Sequence, residues 1–241
     1  MKKFILLSIL ILAGCTANIN LENEVTASFG LSLYDTGRFP TKGIASEISS
    51  ALPESVNLTL TNTQTNVAYN VATWEEITLP IGTYSVAGTY NPTLVQGIVG
   101  TTRFTSTTPK IVVSDEITIV PGTTQYSVSA TYGSFAIGVI PSEVSAWTGR
   151  FKGNIANVEY IDGGDVWWTF VTGNLDPTNY FFTTITPTAG SAQSFSFHTS
   201  GETDGGVLAE YGKWYIMHPA GASAQSGNFS LNISAWESGD L

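Results

Sequence analysis

Few side chains in the 241-residue chain have the type and spacing for catalysis. Its histidines are His198 and His218, and neither stands near a serine and an acid in a hydrolase pattern. A positioned base is the first requirement of acid–base or nucleophilic chemistry. His198 falls on the polar side of the Phe195–Phe197 alternation and His218 precedes Pro219, so both read as surface or turn residues. Gly221-Ala222-Ser223-Ala224-Gln225 begins like a nucleophile elbow but lacks the closing glycine, and it has no strand-to-helix context. The acidic pairs Glu75–Glu76 and Asp115–Glu116 are adjacent, so on a strand their carboxylates point to opposite faces and cannot converge. Asp162-Gly163-Gly164-Asp165 reads as a hairpin turn before a calcium site, and Glu202/Asp204 is the remaining carboxylate pair. The expectation is a non-catalytic protein with no metal and no cofactor.

The residue with the clearest chemistry is Cys15, the chain's single cysteine. Met1-Lys2-Lys3 is a basic start, and Phe4 to Ala13 is an apolar run too short to cross a bilayer. It closes on Leu12-Ala13-Gly14-Cys15, which resembles a bacterial lipobox, where the thiol takes a diacylglyceryl group and cleavage follows. This implies a signal peptide over 1–14 and a lipidated tether over 15–23. Several acyl chains on one cysteine give stable anchoring, since each buried methylene contributes about 0.8 kcal/mol. With no Asp after Cys15, outer-membrane placement is expected. A lone thiol leaves nothing for a disulfide framework or a cysteine-based zinc site.

Composition narrows the partners. The net charge is −10, and loss of Lys2 and Lys3 with the signal peptide would make it two units more negative. That is the wrong sign for a nucleic-acid partner. Charged residues make up only 12%, while 12% are aromatic, with 24 Gly, so the chain has core-forming material but little of what coats a solvent-facing helix.

Period-two alternation dominates instead. Val25, Ala27, Phe29, Leu31 and Leu33 share one face of a strand, with Thr26, Ser28, Gly30 and Ser32 on the other. Short runs of the same kind recur to Phe229-Leu231-Ile233-Ala235, separated by turns such as Pro80 to Gly82 and Pro121-Gly122. Ile44 to Leu52 reads as one short helix. The segment Gly82-Thr83-Tyr84-Ser85-Val86 has an echo in Gly122-Thr123 with Tyr126-Ser127-Val128. These features predict an all-β protein of two β-sandwich domains, 24–121 and 122–241, meeting at Pro121-Gly122. In Val166-Trp167-Trp168-Thr169-Phe170, alternation turns Trp168 inward and Trp167 outward. An outward Trp is either covered by a loop or subunit, or offers a sugar-stacking face beside Trp147, Trp214 or Trp236.

The lipobox, the strand Val25 to Leu33 followed by Gly37-Arg38-Phe39, the Leu79-Pro80-Ile81-Gly82-Thr83-Tyr84 strand entry and the ending Phe229 to Asp240 together resemble the fimbrillin-like lipoproteins of the Bacteroidetes. The resemblance implies two tandem transthyretin-like β-sandwich domains on an outer-membrane, lipid-anchored protein at the cell surface or in a fimbrium. In the pilins of that family an arginine-specific protease removes the first strand, and a neighbour's strand replaces it. By that resemblance Arg38 is the candidate processing site, and Val25, Ala27, Phe29, Leu31 and Leu33 form the face of the released or donor strand. Phe39 and Pro40 depart from the small residue usual after the arginine, and Pro40 restrains the backbone there. No evident carboxy-terminal extension follows the last strand, so tip, anchor and non-polymerising roles stand beside that of a stalk subunit. The implied function is a pilus or adhesin-like subunit whose partners are similar subunits or host and bacterial surface ligands. The alternative is a surface glycan-binding lipoprotein, resting on Trp167.

Overall fold

The computed structural model describes residues 23–33, 55–92, 94–97, 102–154, 158, 160–162, 167–201, 206–219 and 229–235. Cys15 and the signal sequence, Arg38, Ile44 to Leu52, Gly221 to Gln225, Glu202/Asp204, Asp165 and Trp236 lie outside these residues. So do the side chains of Leu33 and His218.

The strands are β1 (Glu24–Leu33), β2 (Asn57–Asn62), β3 (Ala68–Ala72), β4 (Glu76–Pro80), β5 (Gly82–Tyr90), β6 (Leu94–Gly97), β7 (Phe104–Ser106), β8 (Ile111–Ile119) and β9 (Gln125–Tyr132). They continue with β10 (Phe135–Val139), β11 (Val144–Phe151), β12 (Ile161–Asp162), β13 (Trp167–Thr172), β14 (Phe181–Pro187), β15 (Gln193–His198), β16 (Val207–Leu208), β17 (Lys213–Pro219) and β18 (Phe229–Ala235). The protein is all-β, as its alternation predicts, with a short 3-10 turn at Pro141–Glu143.

Three sheets result. The first has the order β3-β2-β5-β8-β9-β1-β4, the second β18-β17-β10-β13-β7-β6 with β12 beside β13, and the third β11-β14-β15-β16. The longest ladder joins β5 to β8 antiparallel from Gly82↔Ile119 to Tyr90↔Ile111. Its inward side chains Tyr84, Val86, Ile111, Val113 and Ile119 are buried, as period two requires of a strand with one covered face. Gly82 has φ +154 and Gly122 φ +81, in the region where a side chain is strained, so glycine suits both strand entries.

The second sheet lies between the other two. All five residues of β10 are buried. Ala136, Trp168, Phe170, Trp214 and Ile216 join the core lined by the first sheet, while Phe135, Ile137, Val139, Val171, Tyr215 and Met217 join a second core with Trp147, Phe151, Phe181, Ile185 and Phe197 of the third. Each covered face excludes water from its own layer of apolar side chains.

This arrangement moves the expected boundary. Pro121-Gly122 connects β8 to β9, which pair antiparallel through Ile111↔Tyr132 inside the first sheet. Conversely, β7 pairs with β13 of the second sheet, through Phe170↔Ser106 to Thr172↔Phe104. A Pro-Gly turn has the same local chemistry inside a hairpin as between domains, so its residues could not distinguish the two.

Candidate functional site

The candidate strand β1 is neither a free edge nor a fully paired interior strand. Its first half, Glu24 to Ser28, pairs antiparallel with Pro80 to Glu76 of β4. Its second half, Ser28 to Leu33, pairs parallel with Gln125 to Ala130 of β9. The partner therefore changes at Ser28, whose N–H donates to the Thr124 carbonyl at 2.8 Å. Both ladders must separate for the strand to leave, but each half carries a ladder on one side only.

The inward face of β1 matches the alternation. Phe29 and Ala27 are 0% and 1% exposed, and Val25 and Leu31 are each 9% exposed. Phe29 stacks on Tyr126, centroids 5.8 Å apart and planes inclined by 26°. Burial of each large side chain contributes about 1.5–3 kcal/mol before ordering entropy is subtracted. Glu24 and Thr26 face outward and are exposed, and Thr26 Oγ1 lies 3.0 Å from Thr78 Oγ1 across the β1–β4 ladder.

The partner switch is supported from two sides. Where the β8–β9 ladder ends, Asp115 accepts from the Ser129 N–H at 2.7 Å and the Glu116 N–H at 2.8 Å, replacing main-chain partners. Burial pushes the Asp115 carboxyl up, but the Ser129 and Glu116 donors outweigh it and hold its pKa below the usual value. On the β4 side, the Trp74 N–H donates to the Phe29 carbonyl at 2.9 Å. Trp74 has φ +70 and is 54% exposed. Its indole lies over Gly30, lining an open hollow of about 290 Å³ with Ser28, Leu31, Gln125, Tyr126 and Ser127. In the sequence Trp74, two residues after Ala72 and beside the Glu75–Glu76 pair, carries no alternation signal that would single it out.

Of the two readings of Trp167, covered or sugar-stacking, the ring is the covered one, with the chain's own third sheet as the cover in place of a loop or another subunit. Trp167 does take the opposite face from Trp168, but that face is the second core, against which Trp167 packs partly buried. The third sheet of the same chain is its cover, so Trp167 is not a surface platform. Trp147 and Trp214 are buried as well, at 6% and 4% exposure. Trp147 stacks on Tyr160 with centroids 3.5 Å apart and donates its Nε1–H to Thr183 Oγ1 at 2.6 Å. Burial pushes the pKa of the Tyr160 hydroxyl up, and the nearby Thr183 hydroxyl offsets only part of it.

His198 is also corrected: it is buried, at 4% exposure, rather than on the surface. Its Nε2 lies 3.2 Å from Ser196 Oγ on the same strand, and among the described residues Nδ1 has no hydrogen-bond partner. A hydrolytic serine–histidine pair needs a group on the second nitrogen to set the tautomer, and this pair lacks one. Among the described residues no group of three or more His, Cys, Asp or Glu could hold a metal.

No protein-family model matches the chain, and no curated protein matches it. Solved structures do. A provisionally named cell adhesion protein from Bacteroides uniformis is 9% identical, with 90% of this chain and 99% of that chain covered and a TM-score of 0.47. A fimbrial assembly protein from Parabacteroides distasonis is 11% identical, covering 88% of this chain and 96% of that one, also at 0.47. A provisionally named polysaccharide-binding protein from Bacteroides thetaiotaomicron is 9% identical, covering 87% and 97%, at 0.40. Two of these neighbours are named for adhesion and fimbrial assembly and the third for polysaccharide binding.

Proposed function

We propose that this chain is a non-catalytic cell-surface lipoprotein of fimbrillin type, anchored to the outer membrane through Cys15, and that it serves as a pilus or adhesin-like subunit assembling by strand exchange. The observation that carries the reading is the divided pairing of β1, antiparallel to β4 up to Ser28 and parallel to β9 beyond it. Loss of β1 would leave β4 and β9 each with an unpaired main-chain edge, over a core that has lost Val25, Ala27, Phe29 and Leu31. Such a groove matches an extended strand from another subunit: main-chain hydrogen bonds supply affinity and alternate side chains set register. The contact is heterologous and propagates unless it closes. Arg38 is the processing site in this reading. Trp167, partly buried against the second core, does not support the glycan alternative.

The test uses the full mature chain with Cys15→Ser, with and without the pair Thr26→Cys and Thr78→Cys. These two residues are directly opposed across β1 and β4, so a disulfide there would staple the strand. After an arginine-specific protease, the unstapled protein is expected to be cut after Arg38 and to take up a labelled peptide of residues 23–33. The oxidised staple is expected to exclude the peptide until it is reduced. A cleaved, unstapled protein that keeps its own β1 and takes up no peptide overturns the proposal, as does the absence of any cut at Arg38.

A further inference from the structure

The outer face of the third sheet carries a charge opposite to that of the chain. Arg150 and Lys152 leave β11 and the residue after it on the same side, two positions apart, and both are exposed. Neither forms an ion pair with a described residue, whereas Lys213 is bridged to Glu210 at 2.8 Å. In a chain of net charge −10, two neighbouring unpaired cations are a local reversal of sign.

Aromatic rings hold both cations in place. Phe182 pairs with Arg150 in the β11–β14 register, and the Arg150 guanidinium carbon stands 5.8 Å from the Phe182 ring centroid. The Lys152 N–H donates to the Tyr180 carbonyl at 2.8 Å, and its Nζ lies 4.8 Å from the Tyr180 ring. Cation–π contact orients a charged group at an exposed site while leaving its N–H donors free toward solvent. The four side chains surround an open hollow of about 390 Å³ together with Gly153 and Asn154. A smaller hollow of about 160 Å³, lined by Thr148, Gly149 and Thr184, adjoins it and shares Arg150 and Phe182.

We propose that this face binds an acidic saccharide through a sugar carboxylate. Arg150 offers the planar fork that takes a carboxylate with two parallel hydrogen bonds, and Lys152 offers a second, movable donor. Phe182 and Tyr180 give an apolar floor for the C–H face of a sugar ring. Thr148 and Thr184, directly opposed across β11 and β14, bring hydroxyls to the same surface, with Thr184 Oγ1 also 2.9 Å from Ser194 Oγ. That set lies on the face of the sheet, where rings and hydroxyls suit a sugar chain, whereas a peptide strand would add along the outer edge of β11 at the end of the sheet. The inference does not rest on strand exchange, since β1 belongs to a different sheet.

The test is calorimetric titration of the mature chain with tetragalacturonate, with its fully methyl-esterified form, and with polyglutamate of equal charge. Binding of the acid alone is expected, weakening with salt. Arg150→Gln and Lys152→Gln are each expected to reduce affinity at least tenfold with unchanged thermal melting, and Lys213→Gln is expected to leave it within twofold. The proposal is overturned if tetragalacturonate does not bind, if the ester binds equally, or if the two glutamine variants bind like the parent. Equal binding of polyglutamate also overturns it, pointing to an acidic protein partner instead.

Discussion

The indole of Trp74 covers Gly30: its Cη2 lies 2.6 Å from where a β-carbon on Gly30 would stand. Only the bare backbone of β1 admits the ring at that distance, and the same turn donates the Trp74 N–H to Phe29. The contact thus fastens the strand just beyond Ser28, where β4 gives way to β9.

Two consequences separate the ring from the backbone. Gly30→Ala should push the exposed indole off the strand at small cost to global stability, while hydrogen exchange at the Trp74 amide quickens. Trp74→Ala loses the ring yet retains the strained φ of +70, whereas Trp74→Gly loses the ring and relieves the strain. Trp74→Gly should therefore be the more stable of the two by about 1 kcal/mol in chemical denaturation. Equal stabilities would mean that the turn relaxes around alanine.

Thr183 anchors the aromatic stack of the second core. Its hydroxyl accepts from Trp147 Nε1 at 2.6 Å and donates to the Thr148 carbonyl at 3.0 Å. Thr183→Val keeps the volume but leaves the buried indole N–H unpaired, a loss of about 1–3 kcal/mol. Thr183→Ser keeps the hydroxyl and should retain most of the stability. Urea titration of the two variants checks the contrast, and equal losses would assign the effect to packing instead.

Acid acts on a surface turn. Asp176 accepts from the hydroxyl and N–H of Thr178 and from the N–H of Asn179, closing the Asp176–Asn179 bridge. The Thr178 hydroxyl above all, then its N–H and the Asn179 donors, lower its pKa to about 2 from 3.8. A depressed carboxyl stabilises the folded turn above its unfolded pKa, and that contribution disappears as the pH falls toward 2. The amide signals of Thr178 and Asn179 should move together with a midpoint of about 2, and Asp176→Asn should abolish the step. A midpoint near 4 would show that these donors do not act on the carboxylate.

Much of the local structure could be read from the residues alone. The alternation of Val25, Ala27, Phe29 and Leu31 names a strand and its buried face, because side chains on a strand alternate by geometry whatever lies around it. Turn chemistry at Pro121-Gly122 is equally local, and so is the opposition of Trp167 to Trp168. What covers each face is not a local property. Trp167 meets a second core because β11, β14 and β15 close over the central sheet, and His198 is buried rather than exposed. Pro121-Gly122 lies in a hairpin because β8 and β9 pair antiparallel, while the other edge of β9 is taken by β1, a partner roughly a hundred positions away in the chain. Arg150 and Lys152 show an alternation in the sequence, but Phe182 and Tyr180 reach them only across the β11–β14 ladder. Periodicity is written by nearest neighbours, whereas layer order depends on long-range pairing that lowers the free energy only when all three sheets are in place.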